Sequence, residues 1–158
     1  MPLTIQYCSD LHLEFPLNER FMHKYPLRVA GDILVLAGDI VPFILLEKHS
    51  YFFDFCSANY IATYWVPGNH EFYHSDIASR SGTLHEQIRE NVFLVNNTTI
   101  HLQDIQLIFA TLWSRINIAD QLQIERAMSD FHLIKNNGHK FTVHDADQLH
   151  SEAVTFIK

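Results

Sequence analysis

Three apolar runs of strand length, each ending at a glycine or a small polar cluster, constrain the fold of this chain more than any other feature. The runs are Leu3–Tyr7, Asp32–Ala37 and Ala62–Val66. The second run is apolar from Ile33 onward and is bounded by Gly31 and Gly38, which is typical of a strand buried on both faces. A segment with apolar residues at helical spacing separates the second run from the third. Strand, helix and strand in this order predict parallel pairing in an α/β fold.

The remaining periodic segments predict a mixture of helices and short strands. Two of the strands are joined by a short turn, which predicts a hairpin. The predicted helices are Phe43–Ala58, Ser75–Glu90, Ile118–Met128 and Asp145–Ile157. The further predicted strands are Phe93–Val95, Thr98–Leu102 and Ile105–Ala110, the last two forming the hairpin, and Asn136–His139 is predicted to be a loop.

Length and charge limit the classes of protein to consider. A chain of 158 residues fits one domain over residues 1–158, and 47% apolar with 18% charged residues is an ordinary globular composition. Eleven basic against eighteen acidic residues give a net charge of −7, which argues against a general grip on the backbone of nucleic acid. Phosphorylated small molecules stay compatible with this charge because bound cations would reverse the local field.

The cysteines and the start of the chain indicate location rather than chemistry. Cys8 and Cys56 lack the paired spacing of a zinc site and are expected to be small core side chains. The first residues do not have the plan of a signal peptide, and no apolar run approaches the ~20 residues that span a bilayer. We therefore expect a cytoplasmic protein without a membrane partner.

Polar side chains follow all three predicted strands, where α/β sheets bind ligands. Asp10 and His12 are two positions apart, so they would point to one side if the strand geometry persists. A carboxylate beside an imidazole suits Mn, Fe or Zn better than Ca. Asp39 follows a glycine and could bridge two ions, while Asn69 offers a neutral oxygen and His70 a proton donor. Taken singly, each cluster is also consistent with an ordinary strand end or turn, but together they indicate a metal site.

In combination, the three clusters resemble the first three motifs of the calcineurin-like metallophosphoesterases. The residues that flank these motifs are also similar to those of small bacterial members of this family, and the likeness runs along essentially the whole chain. The matching motifs are Asp10-Leu11-His12, Gly38-Asp39 and Gly68-Asn69-His70-Glu71, within the longer stretches Ser9–Phe15, Leu34–Ile40 and Val66–Tyr73, with Ala110–Trp113 as a further similar stretch.

This resemblance implies a layered α/β sandwich, a mixed sheet flanked by helices, that hydrolyses a phosphomonoester or phosphodiester through a metal-bound hydroxide. It implies that Asp10 and His12 hold a first divalent cation, that Asp39 bridges two cations, and that Asn69 binds the second. His70 would protonate the leaving-group oxygen or stabilise the phosphoryl oxygens. Mn²⁺ is the expected cation, with Fe or Zn as alternatives. Glu71, the last residue of the third motif, is expected to orient one of these groups without binding a cation itself.

Two later histidine motifs of the family are not recognisable here. Gly138-His139-Lys140 begins like one of them, but Phe141 stands where its second histidine belongs. The resemblance therefore predicts the N-terminal portion of the family domain, truncated at its C-terminal side. The first cation would keep three ligands and the second only two, so we expect about one tightly held ion per chain. The other histidines, which we interpret as strand-edge, loop or helix-surface residues, are His101, His132, His144 and His150.

Three interpretations therefore stand side by side. The first is a metal-dependent phosphoesterase acting on a small phosphoester. The second is a truncated, non-catalytic relative that keeps the scaffold, binds at most one ion and acts as a binding or structural protein. A third, a nucleotide-binding doubly wound domain, is weak because no glycine-rich phosphate loop follows any strand. Missing later strands would leave an apolar face near the hairpin uncovered, so self-association is expected.

Overall fold

A mixed β-sheet with helices against it forms the body of the molecule, as seen in a computed structural model that describes residues 3–158. The strands are β1 (Ile5–Cys8), β2 (Ile33–Ala37), β3 (Ala62–Val66), β4 (Leu84–Arg89), β5 (Val92–Asn96), β6 (Thr98–Leu102), β7 (Ile105–Phe109), β8 (Lys135–Asn136) and β9 (His139–Lys140). The helices are α1 (Pro16–Lys24), α2 (Ser50–Asn59), α3 (Gln121–Ala127), α4 (Asp130–Leu133) and α5 (Val143–Ile157). The main sheet has the order β1-β2-β3-β5-β4. Its first four strands in that order are parallel, and β4 is antiparallel at the edge. The predicted parallel pairing and mixed α/β class are confirmed.

One face of the main sheet packs against α2. Because successive strand residues point to opposite faces, Leu34, Leu36 and Trp65 share this side. They pack with Phe53 and Cys56 of α2, and all five side chains are fully buried. Burying large apolar side chains here, at about 1.5–3 kcal/mol each, is the main force that fixes the sheet.

The opposite face is partly covered by the predicted hairpin, β6–β7, which is confirmed. Phe109 of this hairpin packs against Ile33, Tyr64 and Val95, and the rings of Tyr64 and Phe109 lie 5.4 Å apart. Within residues 3–158 the hairpin pairs only with itself, so it lies over the main sheet as a separate layer. The edge strand β1 stays open on this side, where Tyr7 is 78% exposed.

A second apolar cluster supports the loop that follows β3. Phe131 of α4 and Phe141 and Val143 near the start of α5 pack around Phe72 of that loop. Helix α5 begins where Thr142 forms a capping box, two residues before its predicted start. This cluster fixes the third polar motif relative to the C-terminal helices.

The predicted helix Ser75–Glu90 is wrong. The segment contains a 3-10 turn at Ile77–Ser79, then Gly82 with φ +74°, and then the strand β4. Residues Leu84–Arg89 form a strand because β5 has a free edge, and pairing with it satisfies their backbone hydrogen-bonding groups.

Other boundaries also differ from expectation. Only the second half of the predicted helix Phe43–Ala58 is α-helical, since it opens as a 3-10 turn at Phe43–Leu45. The predicted loop Asn136–His139 is the tight hairpin β8–β9. The helices α1 and α4 were not predicted from the sequence pattern. None of the helices in residues 3–158 combines the length and the apolar character that crossing a bilayer requires.

Both cysteines are core side chains, as predicted. Cys56 is fully buried, and Cys8 is half-buried and packs against the same cluster. Burial raises the pKa of the Cys8 thiol to about 11 and that of Cys56 to about 12. Thiols with such values are poor nucleophiles near neutral pH.

A buried histidine lies at the start of α2. His49 is fully buried, neither of its ring nitrogens has a hydrogen-bond partner within residues 3–158, and Nδ1 lies 3.8 Å from Oε1 of Glu19. Burial lowers the pKa of His49, and the charge of Lys48 acts in the same direction, while Glu19 and Glu14 oppose it. The neutral imidazole is therefore the form that the fold prefers.

Candidate metal centre

The loops after β1 and β2 run side by side and hold three candidate ligands in left-handed backbone conformations. Amides of the first loop donate to carbonyls of the second, Asp10 to Gly38 at 3.1 Å and His12 to Asp39 at 2.9 Å. Asp10, His12 and Asp39 have φ of 57°, 46° and 57°. Such conformations cost about 1–3 kcal/mol each and cluster at functional sites. Strand geometry does not persist, since β1 ends at Cys8, so the loop path brings these side chains together.

Two glycines allow the second and third motifs to touch. Gly38 has φ +88°, and a Cβ there would lie 3.1 Å from Cα of Gly68. A Cβ on Gly68 would overlap the carboxylate of Asp39. Any side chain at either position would therefore push the two loops apart.

Glu71 joins the same two loops from beneath. It is completely buried, and burial raises its pKa to about 7, while the backbone amides that donate to it oppose the rise. One carboxylate oxygen, Oε2, accepts from the amides of Asp39 (3.0 Å) and Gly68 (2.7 Å). The other, Oε1, accepts from the amide of Ile40 (2.7 Å) and the indole of Trp65 (3.1 Å). Glu71 thus ties the Gly-Asp motif to the Gly-Asn-His-Glu motif.

The structure brings the three residues predicted for the first cation together. One ligand atom each from Asp10, His12 and Asp39 lies within 4.8 Å of the others. Nε2 of His12 is 3.9 Å from Oδ1 of Asp10, whose side chain is 67% exposed. Two carboxylates and an imidazole fit a first-row divalent cation, and three protein ligands leave positions for water or substrate.

His70 lies beside this group through a carboxylate that the sequence reading did not single out. Oε1 of Glu14 is 3.2 Å from Nδ1 of His12 and 3.0 Å from Nδ1 of His70. The two imidazole rings meet edge to face with centroids 4.4 Å apart. The alternation of Asp10, His12 and Glu14 in the sequence was the one signal that could have drawn attention to Glu14.

Asn69 is held by a carboxylate that is distant in the sequence. Its Nδ2 donates to Oδ1 of Asp130 at 2.7 Å, and the hydroxyl of Tyr73 donates to the same oxygen at 2.8 Å. Because Nδ2 is committed to Asp130, the carbonyl oxygen of Asn69 is the atom left to meet a cation. Asp39 is fixed in turn by the amide of His70, which donates to its Oδ1 at 3.1 Å. No local pattern marks Asp130, which reaches the site through the packing of α4.

The later histidines lie elsewhere. Within residues 3–158, the groups of three or more close ligand atoms are drawn only from positions 10 to 70. His150 lies 2.6 Å through Nδ1 from the carbonyl of Trp113, a helix-packing contact, and His132 contacts the carbonyl of Arg126. Three further histidines have exposed side chains: His101 on β6, His139 on β9 and His144 on α5. The second cation would therefore find Asp39 and Asn69 as its predicted ligands.

A cleft of about 670 Å³ opens next to the third motif. Its lining includes Gly68, Asn69 and Asp130 together with Trp113 and Arg115. The cleft thus joins the candidate metal centre to an apolar surface that carries a cationic side chain.

Comparison with known proteins tests the resemblance that the three motifs indicated. The sequence profile of the family described as calcineurin-like phosphoesterase matches residues 3–152. The chain therefore belongs to the calcineurin-like phosphoesterase family, as the motifs predicted.

Two relatives show the extent of the likeness. An uncharacterized protein of Acanthamoeba polyphaga mimivirus is 34% identical over 175 residues, which cover 97% of this chain and 61% of that protein. The crystal structure of a phosphopantetheinyl hydrolase from Mycobacterium tuberculosis superimposes with a TM-score of 0.59 at 17% identity, covering 96% of this chain and 60% of that one. The second likeness is one of fold. The chain spans about three-fifths of the length of each relative.

Proposed function

We propose that this protein is a metal-dependent phosphoesterase that hydrolyses a small phosphomonoester or phosphodiester. The observation that supports it most is the convergence of Asp10, His12 and Asp39 within 4.8 Å, with His70 linked to His12 through Glu14. Divalent cations held there, Mn²⁺ with Fe or Zn as alternatives, would polarise the phosphoryl group and ionise a coordinated water.

The chain's own residues supply the remaining steps of the proposal. Asp10 and Asp39 place negative charge where cations are needed, and His12 offers Nε2. Asn69 would offer its carbonyl oxygen to a second cation, because Asp130 holds its amide nitrogen. His70 donates a proton to the departing oxygen, a role that positioned imidazoles commonly take. Attack by water then needs no covalent protein nucleophile.

The surroundings favour a small substrate. The cleft beside Asn69 has room for the organic part of a phosphoester, and Arg115 in its lining would attract a phosphoryl oxygen. The net charge of −7 disfavours long nucleic acid. A cytoplasmic location is part of this proposal.

The test is hydrolysis of p-nitrophenyl phosphate and of bis(p-nitrophenyl) phosphate with added Mn²⁺. Asp39→Asn removes a charge at the centre and should lower kcat/KM at least about 100-fold, which corresponds to about 2.7 kcal/mol. Asp54→Asn is the matched control, because Asp54 pairs with Arg89 at the surface. Equal activity in Asp39→Asn and the control would place the hydrolysis elsewhere.

The alternative, a non-catalytic relative that holds at most one ion, is favoured by one observation. None of the later histidines joins the ligand groups found in residues 3–158. Metal analysis after dialysis should give about one tightly held ion per chain under either proposal, because the second cation has only two predicted ligands. Two tightly held ions would refute that expectation. Absence of turnover by a fully Mn²⁺-loaded chain on both substrates would favour the alternative.

A further inference from the structure

We propose that Glu14 is a positioning residue shared by the candidate metal ligand His12 and the candidate proton donor His70. One of its two carboxylate oxygens, Oε1, lies 3.2 Å from Nδ1 of His12 and 3.0 Å from Nδ1 of His70. The inference rests on the proposed function for its catalytic meaning, but its structural part can be tested without turnover.

The first step concerns which ring nitrogen carries hydrogen. An ionised carboxylate accepts hydrogen bonds and cannot donate them. Nδ1 of both His12 and His70 must therefore carry the hydrogen in these contacts. The Nε2 atom of His12, which lies toward Asp10 at 3.9 Å, keeps its lone pair for a cation. Nε2 of His70 is left outside the Glu14 contact. To act as the proton donor, His70 must carry a second hydrogen on this nitrogen, and the Glu14 carboxylate on Nδ1 would stabilise that imidazolium.

The second step concerns burial. The Glu14 side chain is only 13% exposed, and its Oε2 is buried with no hydrogen-bond partner in the described residues. A buried carboxylate is costly unless it is paired. The hydrogen-bond partners that Glu14 does have are the two site histidines, so its contacts serve their orientation.

The third step concerns freedom of the rings. Tyr73 stacks on His70 with ring centroids 4.2 Å apart and an angle of 28° between the ring planes. The ring of His12 packs against the His70 ring in a T-shaped arrangement, with centroids 4.4 Å apart. With Tyr73 restraining one side and Glu14 fixing Nδ1, the His70 ring has one favoured orientation. Hydrogen bonds of this kind fix both tautomer and ring direction at metal sites.

The direct test is the tautomer of each ring, measured in the metal-free protein by long-range ¹⁵N NMR of labelled histidine. His12 and His70 should both be in the Nδ1–H form. In Glu14→Ala, which removes the shared acceptor, both rings should populate the Nε2–H form more. In Glu14→Gln the side-chain carbonyl can still accept from the Nδ1–H groups, so part of the Nδ1–H preference should remain. Either ring in the Nε2–H form in the unmodified protein would overturn the proposal, whether or not the protein hydrolyses any phosphoester.

The second test uses Mn²⁺ affinity and leaving-group dependence. Glu14→Ala should weaken Mn²⁺ binding about 10–100-fold, the usual effect of removing a partner of a metal ligand. It should also lower kcat for phenyl phosphate about tenfold more than for p-nitrophenyl phosphate, because a poor leaving group needs the proton of His70 most. Glu14→Gln should recover part of the Mn²⁺ affinity.

Glu19→Gln is the matched control, because Glu19 is a partly buried glutamate nearby whose carboxylate contacts Lys48 instead. It should change neither Mn²⁺ affinity nor the leaving-group dependence. Circular dichroism establishes that each variant is folded. A folded Glu14→Ala with the Mn²⁺ affinity of the unmodified protein would overturn the shared role. Loss of Mn²⁺ affinity without any phosphoesterase activity in the parent would refute the proposed function and leave the positioning of His12 standing.

Discussion

Replacing Glu71 by glutamine tests how the two central loops are held together. The carboxylate takes four hydrogen bonds, two on each oxygen, from Asp39 and Gly68 on one side and from Ile40 and Trp65 on the other. Glutamine has nearly the same shape, but one of its two terminal atoms is an NH₂ donor. Whichever way the amide turns, two N–H donors of the protein then face another donor.

The magnitude follows from the burial of the side chain, which is 0% exposed. Each buried donor left without an acceptor costs about 1–3 kcal/mol, so Glu71→Gln should destabilise the fold by about 2–6 kcal/mol. That is a large part of the ~5–15 kcal/mol that typical domains possess. The loss should also release the Asp39 loop and weaken Mn²⁺ binding, because the amides of Asp39 and Gly68 would no longer share an acceptor.

The assay is urea unfolding of the metal-free protein at about pH 8, above the raised pKa of Glu71, followed by Mn²⁺ titration of the folded variant. Glu86→Gln is the matched control, since Glu86 makes a partly exposed pair with Arg80 that should contribute about 1 kcal/mol or less. A loss below about 1 kcal/mol in Glu71→Gln would refute the reasoning from unsatisfied donors. Unchanged Mn²⁺ affinity would refute the link between Glu71 and the site.

Three other properties of the chain should be measurable in solution. The pKa of His49 is lowered in the fold, so the unfolded chain binds the extra proton first as pH falls, and stability should decrease below about pH 6.5. His49→Leu should flatten the dependence of the urea midpoint on pH between about 5.5 and 7.5, and an equally steep dependence would contradict this. Cys8 and Cys56 should react with Ellman's reagent much more slowly in the native protein than in urea, and rapid native labelling of both would show that the core is open. The open apolar edge at Tyr7 should cause self-association at micromolar concentrations, which Tyr7→Glu should reduce in light scattering; a parent that is strictly monomeric there would contradict it.

Local pattern was enough where one element is decided by its own residues. The run Ile33–Ala37 is apolar at every position, and it is a strand whose Ile33, Leu34 and Leu36 side chains are buried. The amphipathic spacing in Asp145–Ile157 predicted a helix, and α5 covers it. Pattern failed at Ser75–Glu90, where helix and strand are both compatible with the polar residues. There the open edge of β5, formed by residues later in the chain, decided the outcome.

The sequence by itself determined the family, the parallel strands and the order in which polar motifs follow them, because strand period and strand-end residues are local properties. Tertiary structure alone decided how those motifs meet. Asp10 and His12 converge with Asp39 through a left-handed loop path and not through the strand spacing that the sequence suggested. Contacts with Glu14 and Asp130 depend on where a ring points or where a distant helix packs, and side-chain direction and long-range packing leave no periodic trace in a single chain.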